Sequence, residues 1–147
     1  MNAAVKLHRI AHSLFGMAGL RWGGKLVYWL NKVLTSSDID PRCQVAEGVR
    51  IPHATGVVIG ETAVIGTHTI IMPDVVIGAR SWDKYKRHAT VGARVQLGAG
   101  AKLLGPIVVG DDARVGANAV VIEDVPAGAT VVGVPARVVS EADEVRP

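Results

Sequence analysis

The stretch that decides the fold runs VGARVQ LGAGAK LLGPIV VGDDAR VGANAV over residues 91–120. Each block of six opens on Val or Leu, at Val91, Leu97, Leu103, Val109 and Val115. The same register extends back through Ile77, Ile71, Ile65 and Ile59 to Ile51, Val45 and Ile39, and forward to Val121 and Ala127. Gly stands next at 60, 66, 78, 92, 98, 110, 116 and 128. The fifth position is small or β-branched: Cys43, Val49, Thr55, Ala63, Thr69, Val75, Ser81, Val95, Ala101, Ile107, Ala113, Ala119, Val125 and Val131. A six-residue period is the mark of a β-solenoid. Three hexads make one triangular coil with three short parallel sheets. The first position fills the interior, the fifth packs near the corner, and Gly relieves a crowded corner. Fourteen hexads predict between four and five stacked coils, mainly β, stabilised by coil-on-coil contact.

Composition agrees with a narrow interior. The chain has 147 residues, about one domain, and 49% of them are hydrophobic, yet only six are aromatic. Those six are Phe15, Trp22, Tyr28, Trp29, Trp82 and Tyr85, and none lies between Val91 and Val139. Cys43 is the only cysteine, which excludes an intrachain disulfide and a Cys-based zinc site. It reads as a small buried filler. A formal charge of +3 is too weak to imply a nucleic-acid partner. No apolar run reaches membrane-span length. Ile10–Leu20 after Lys6 and Arg9 faintly imitates a signal peptide, but no small-x-small cleavage site follows, so a cytoplasmic location is expected.

Residues 1–35 read as a helical segment of two helices split at Gly23-Gly24. Leu7, Ile10, Ala11 and Leu14 share one face of the first, and Leu26, Leu30 and Val33 share one face of the second. The adopted reading is a cap over the end of the coil stack. Arg21, Lys25 and Lys32 beside Trp22 and Trp29 also suit membrane contact through residues 3–34, the lesser reading. The β-helix domain spans 36–139, with a projecting loop at 81–90 and a polar tail at 140–147.

The register breaks twice. The step from Ile51 to Ile59 carries two extra residues, and the step from Ile77 to Val91 carries eight. Insertions in a solenoid leave its surface and often bear function. Each break holds a histidine, His53 and His88, and imidazole titrates near neutrality as a general base should. The second break is basic, with Arg80, Lys84, Lys86, Arg87 and Arg94 against Asp83 across residues 80–94, which suits the phosphates of a nucleotide cofactor or merely a solvated loop. His8 and His12 lie one helical turn apart without an evident third ligand, and read as part of the cap. A metal lyase like the hexapeptide-fold carbonic anhydrases would need converging histidines. His53, His68 and His88 contain no closely spaced pair, so no metal site is expected.

Several segments resemble the serine acetyltransferase family. They are Asp38-Ile-Asp-Pro, His53-Ala-Thr-Gly-Val-Val-Ile-Gly-Glu-Thr-Ala, Arg87-His88, Gly98-Ala-Gly-Ala-Lys-Leu-Leu-Gly-Pro-Ile and Gly133-Val-Pro-Ala-Arg. The resemblance covers about residues 36–139 and implies a left-handed parallel β-helix of hexapeptide repeats. It implies an acetyl-CoA-dependent O-acetyltransferase in which His53 is the general base and Asp38 orients it. Arg87 and His88 then hold the acceptor's carboxylate, with His88 also counted in the catalytic set. Ala79, Ala99 and Ala117, with Lys84 and Lys86, would line the CoA groove. Acetyl-CoA would be a co-substrate, with no tightly bound cofactor. The family's groove lies between subunits, so a homotrimer is expected. The longer members' large helical domain has no counterpart here, which makes a pair of trimers the lesser expectation.

Two departures concern the acceptor. Pro52 stands where the family usually has Asp, and Trp82 and Tyr85 occupy a loop that is glycine-rich in the family. Both point to a reshaped acceptor pocket, so a sugar or secondary-metabolite hydroxyl stands beside serine as the alternative. A non-catalytic β-helix scaffold is a third reading, weakened by the presence of His53 and Asp38.

Overall fold

The computed structural model describes residues 3–81 and 85–140. Two helices, α1 (Ala3–Gly16) and α2 (Arg21–Thr35), form an antiparallel hairpin. Fourteen short strands follow. They are β1 (Asp38–Ile39), β2 (Gln44–Val45), β3 (Val58–Ile59), β4 (Val64–Ile65), β5 (Ile70–Ile71), β6 (Val76–Gly78) and β7 (Thr90–Val91), then β8 (Gln96–Leu97), β9 (Lys102–Leu104), β10 (Val108–Val109), β11 (Arg114–Val115), β12 (Val120–Val121), β13 (Thr130–Val132) and β14 (Arg137–Ser140). They build a left-handed parallel β-helix with three flat faces. Face I is β1-β3-β6-β9-β12, face II is β2-β4-β7-β10, and face III is β5-β8-β11-β13-β14. All ladders are parallel except β13 with β14.

The register explains the period. Val58 pairs with Val76, Thr90 with Val108, and Gln96 with Arg114, so a regular coil takes eighteen residues. In the parallel strands the second residue points inward, giving the alternating pattern of Val58 out and Ile59 in, whereas β14 lies outside the column. Inward residues and those two positions earlier form one column from Ile39 to Val131, aliphatic apart from Cys43 and Thr69, with no aromatic in it. Burying each Val, Ile or Leu contributes about 1.5–3 kcal/mol, and small residues such as Ala63, Ala101, Ala113 and Ala119 fill the corners.

Three sequence expectations need correction. Thr55 and Ser81 are exposed, and the inward residues ahead of β3 and β7 are Val57 and Ala89. The insertions fall before these positions and carry the packing residue to their far side. Ala127 is also exposed. Val125 bridges Val109, so the coil shortens after Val121, and Val125 and Val131 become strand-centre residues.

The helices pack through unexpected faces. Helix α1 buries Ala4, Val5, His8 and Ala11, while Ile10 is half exposed. Helix α2 buries Gly24 and Asn31, and Leu26, Leu30 and Val33 point outward. A Cβ on Gly24 would stand 3.0 Å from the Phe15 nitrogen, so this glycine lets the two helices touch. Asn31 Nδ2 donates to Ala4 O at 3.1 Å and satisfies that buried contact. At the other end, residues 133–136 cross over β12, with Val120 N–H donating to Gly133 O and Ala136 N–H to Val120 O. No described helix is long and apolar enough to cross a membrane.

Candidate active site

The two register breaks fall on different corners of the triangle. His53 lies between Ile51 and β3, at the corner joining faces III and I. His88 lies between β6 and β7, at the corner joining faces I and II. His68, between β4 and β5, marks the third corner. No group of three His, Cys, Asp or Glu among the described residues is placed to share a metal ion.

The I/II corner is a built polar site. A Cβ on Gly60 would lie 2.0 Å from His88 Nε2, so the imidazole rests directly on the glycine. The Thr62 hydroxyl oxygen accepts N–H bonds from Arg87 and His88, both at 3.1 Å. Its one proton is therefore directed at His88 Nδ1, 2.8 Å away. The Thr62 amide reaches the same nitrogen at 3.3 Å. Nδ1 is thus an acceptor, and the neutral ring carries its proton on Nε2. Burial, and then the Arg87 charge, lower the His88 pKa and keep the ring neutral.

Arg87 is ion-paired with Glu61, which also pairs with Arg42. Arg42 in turn holds Asp40 through Nε at 3.0 Å and Nη2 at 2.7 Å. This chain of alternating charge climbs the corner from coil to coil. Lys86 Nζ donates to Thr62 O at 2.5 Å, and burial lowers its pKa. Tyr85 is exposed. Ala79 opens the excursion, also exposed. Trp82 and Lys84 lie outside the described residues.

The III/I corner holds the other half. His53 and Pro52 are exposed, and His53 has no hydrogen bond within the described chain. The loop carrying His53 stacks on the corners below it. Asp74 N–H donates to Thr55 O, Gly100 N–H to Pro73 O, and Asn118 N–H to Ala99 O. Ala99 and Ala117 therefore stand in the same column as His53. Asp74 and Asn118 take positive φ there, a conformation their short polar side chains tolerate. A Cβ on Gly98 would meet the Ala117 nitrogen at 2.6 Å, so bare backbone is brought close along this edge. A groove of ≈ 470 Å³ on face III adjoins it, lined by Met72, Gln96, Gly98, Arg114 and Ala117 among others. A larger groove of ≈ 790 Å³ lies between α1 and face II and contains none of the sequence-predicted site residues.

Asp38 is turned toward α2. It accepts from Tyr28 Oη at 2.5 Å and from Lys32 Nζ at 2.6 Å, and no hydrogen bond joins it to His53. Burial and this bond raise the Tyr28 pKa, so the phenol is a firm donor. The structure thus brings Arg87, His88 and Lys86 together on one corner, and His53, Ala99 and Ala117 on another. Sequence reasoning missed Gly60, Glu61, Thr62, Tyr28, Lys32 and Arg114. Aligning the corners coil upon coil would have placed Asp40 and Arg42 beside Gly60, Glu61 and Thr62.

Cys43 and the first histidine pair are structural. Cys43 is fully buried, and burial pushes its thiol up to about 12. Burial and then the His12 charge push His8 down to about 4. His12 Nδ1 donates to Pro41 O at 2.7 Å.

Comparison with known proteins extends this likeness to nearly the whole chain. Residues 88–123 match the family model described as bacterial transferase hexapeptide (six repeats). The serine acetyltransferase of Mycobacterium tuberculosis is 48% identical over 94% of this chain and 60% of its own length. That of Helicobacter pylori strain J99 is 42% identical, covering 94% of this chain and 80% of the relative. The crystal structure of the Brucella abortus serine acetyltransferase in complex with coenzyme A superposes with a TM-score of 0.90 at 36% identity, over 94% of this chain and 55% of that one. The chain thus spans about three fifths of the length of the Mycobacterium relative. With its hexapeptide β-helix and near-complete alignment to these enzymes, the chain belongs to the serine acetyltransferase family.

Proposed function

We propose that this chain transfers the acetyl group of acetyl-CoA to the hydroxyl of serine or a close carboxylate-bearing analogue, in a site completed by a second copy. The observation that carries the reading is the division of one chemistry between two corners. His53 is an exposed, unengaged imidazole on one edge of face I, and Arg87 with His88 occupies the other edge. Three copies around an axis parallel to the coil stack would set the III/I corner of each against the I/II corner of the next. A homotrimer therefore holds three complete sites.

In such a site His53 takes the acceptor's hydroxyl proton as the oxygen attacks the thioester carbonyl. The carbon–sulfur bond breaks, the CoA sulfur leaves, and the imidazolium returns the proton to it. Asp38 is the positioning residue for His53 in this reading, supported by the pairing of β1 with β3, the strand that the His53 loop enters. His88 Nε2–H and the Arg87 guanidinium face the acceptor's carboxylate. The Ala99 and Ala117 column and the face III groove with Arg114 take CoA, whose phosphates suit Arg114, Lys84 and Lys86. A need for acetyl-CoA supports the expected cytoplasmic location.

A sugar or secondary-metabolite hydroxyl is the second reading. It is favoured by Pro52, which offers no side-chain acceptor for an ammonium group, and by the exposed ring of Tyr85. The test pairs two inactive variants. Co-expressed His53→Ala and His88→Ala chains should regain about a quarter of wild-type activity, because random mixing leaves about a quarter of the interfaces intact. No recovery would refute the shared site. Release of CoA thiol across serine, homoserine, amino sugars and nucleotide sugars decides the acceptor, and activity confined to sugars would replace the first reading by the second.

A further inference from the structure

Helix α2 is amphipathic in the wrong direction for a cap. Its inward side is Gly24 and the amide of Asn31, whereas Trp22, Leu26, Trp29, Leu30, Val33 and Leu34 face outward. Trp22 is 81% exposed and Leu34 71%. These positions follow helical three- and four-residue spacing, so they form one continuous stripe. Met17 and Leu20, exposed in the turn of the hairpin, extend it. A continuous apolar stripe that faces away from the body of the chain marks a binding surface.

Charge says what binds there. Residues 1–37 contain five of the sixteen Lys and Arg, namely Lys6, Arg9, Arg21, Lys25 and Lys32, and none of the thirteen Asp and Glu. The rest of the chain is net acidic. Arg21 and Lys25 flank the stripe by helical position, and Lys25 Nζ lies 5.2 Å from the centroid of the Trp22 ring. A second copy seated face to face would offer these cations no acidic side chain from its own hairpin. Neither helix can span a bilayer. Aromatic and aliphatic side chains beside an all-basic flank match the interface of an anionic bilayer, where indole rings sit at headgroup level.

We propose that the α1–α2 hairpin is a membrane-surface anchor, laying the Trp22–Leu34 stripe into the headgroup boundary of anionic phospholipid while the β-helix stays in water. The test is co-sedimentation of the full chain with vesicles of phosphatidylcholine alone, or with phosphatidylglycerol as about a third of the lipid. Binding to the anionic vesicles should be at least about tenfold tighter and should weaken with salt. Trp22→Ser/Trp29→Ser should lose about tenfold or more of that binding. Lys25→Gln should lose about fivefold. Unchanged circular dichroism and CoA-release activity would show that these variants remain folded. Absence of vesicle binding, or equal binding to neutral lipid, overturns the proposal. Assemblies larger than a trimer that form without lipid and vanish in the double tryptophan variant also overturn it, because a second copy would then cover the stripe.

Discussion

Replacing Gly60 by Ala tests how His88 is held. Gly60 does not have a left-handed backbone, so alanine adds no conformational strain there and the whole effect comes from one methyl group. That methyl would lie 2.0, 2.2 and 2.6 Å from Nε2, Cδ2 and Cε1 of His88. Restoring ordinary contact moves the ring by roughly 1.5 Å. The 2.8 Å bond from Thr62 to Nδ1 cannot survive such a shift. Its loss costs about 1 kcal/mol, and overpacking raises the total to about 1–3 kcal/mol. Displacing a substrate-positioning group by this much lowers kcat/KM for the acceptor by about 10²-fold.

Gly78→Ala is the matched control. Gly78 ends the strand one coil further along the same face, and its added methyl would meet only Leu104 Cδ2 at 3.2 Å and Val76 Cγ1 at 3.5 Å. The end of a leucine can yield. CoA release measured against acceptor and acetyl-CoA in turn should show the Gly60→Ala defect in acceptor KM, with acetyl-CoA KM near wild type. Gly78→Ala should stay within about threefold of wild type. Equal behaviour of the two variants, or an unchanged acceptor KM in Gly60→Ala, would refute the role assigned to the ring.

Other expectations follow from the same contacts. His53→Ala should lower kcat by about 10²–10⁴-fold with an unaltered circular dichroism spectrum, since the side chain has no hydrogen bond to lose; near-normal turnover would remove His53 as the base. His8 is neutral in the fold, its pKa lowered from 6.5 to about 4, while the unfolded chain takes up a proton near 6.5. Stability is therefore full above pH 6.5 and falls by about 3 kcal/mol as pH drops to about 4. His8→Leu should flatten denaturant midpoints across that window. The buried Cys43 thiol should resist disulfide reagents in the native protein and react on unfolding. Rapid native labelling would contradict the packing.

Much of this molecule is legible in its sequence because a solenoid repeats one local solution. A coil interior only a few side chains wide admits Val, Ile, Leu and Ala, and six-residue spacing follows from three faces. The reading failed where that repetition stops. Ala127 continued the written period, but the coil had already shortened ahead of Pro126, and Val125 took the interior position. Leu26, Leu30 and Val33 have the spacing of a buried face, and periodicity alone cannot say which side of a helix meets the protein. Asn31 and Gly24 decide that, one through a hydrogen bond and the other through the room it leaves. At the site, His53, Arg87 and His88 stood out because they interrupt the register. Glu61 and Thr62 did not, because they sit in an unbroken hexad and meet Arg87 and His88 only across the stack. Sequence likewise could not show that Asp38 bonds Tyr28 and Lys32, a contact created by the docking of α2.

A stack of parallel coils is also a polymer template. Each terminal coil presents strand edges already in register for another, and a chain built this way could add subunits end to end without limit. Here both ends carry a chain stopper. The α1–α2 hairpin inserts Ala4 and Val5 into the aliphatic column at one end. At the other, residues 133–136 lie across β12, and β14 runs antiparallel along β13 with a shift in register at Thr130 and Val131. Among the described residues, these segments cover part of each terminal coil against an incoming parallel one. The protein can thus carry the backbone order of a fibril in a particle of fixed length.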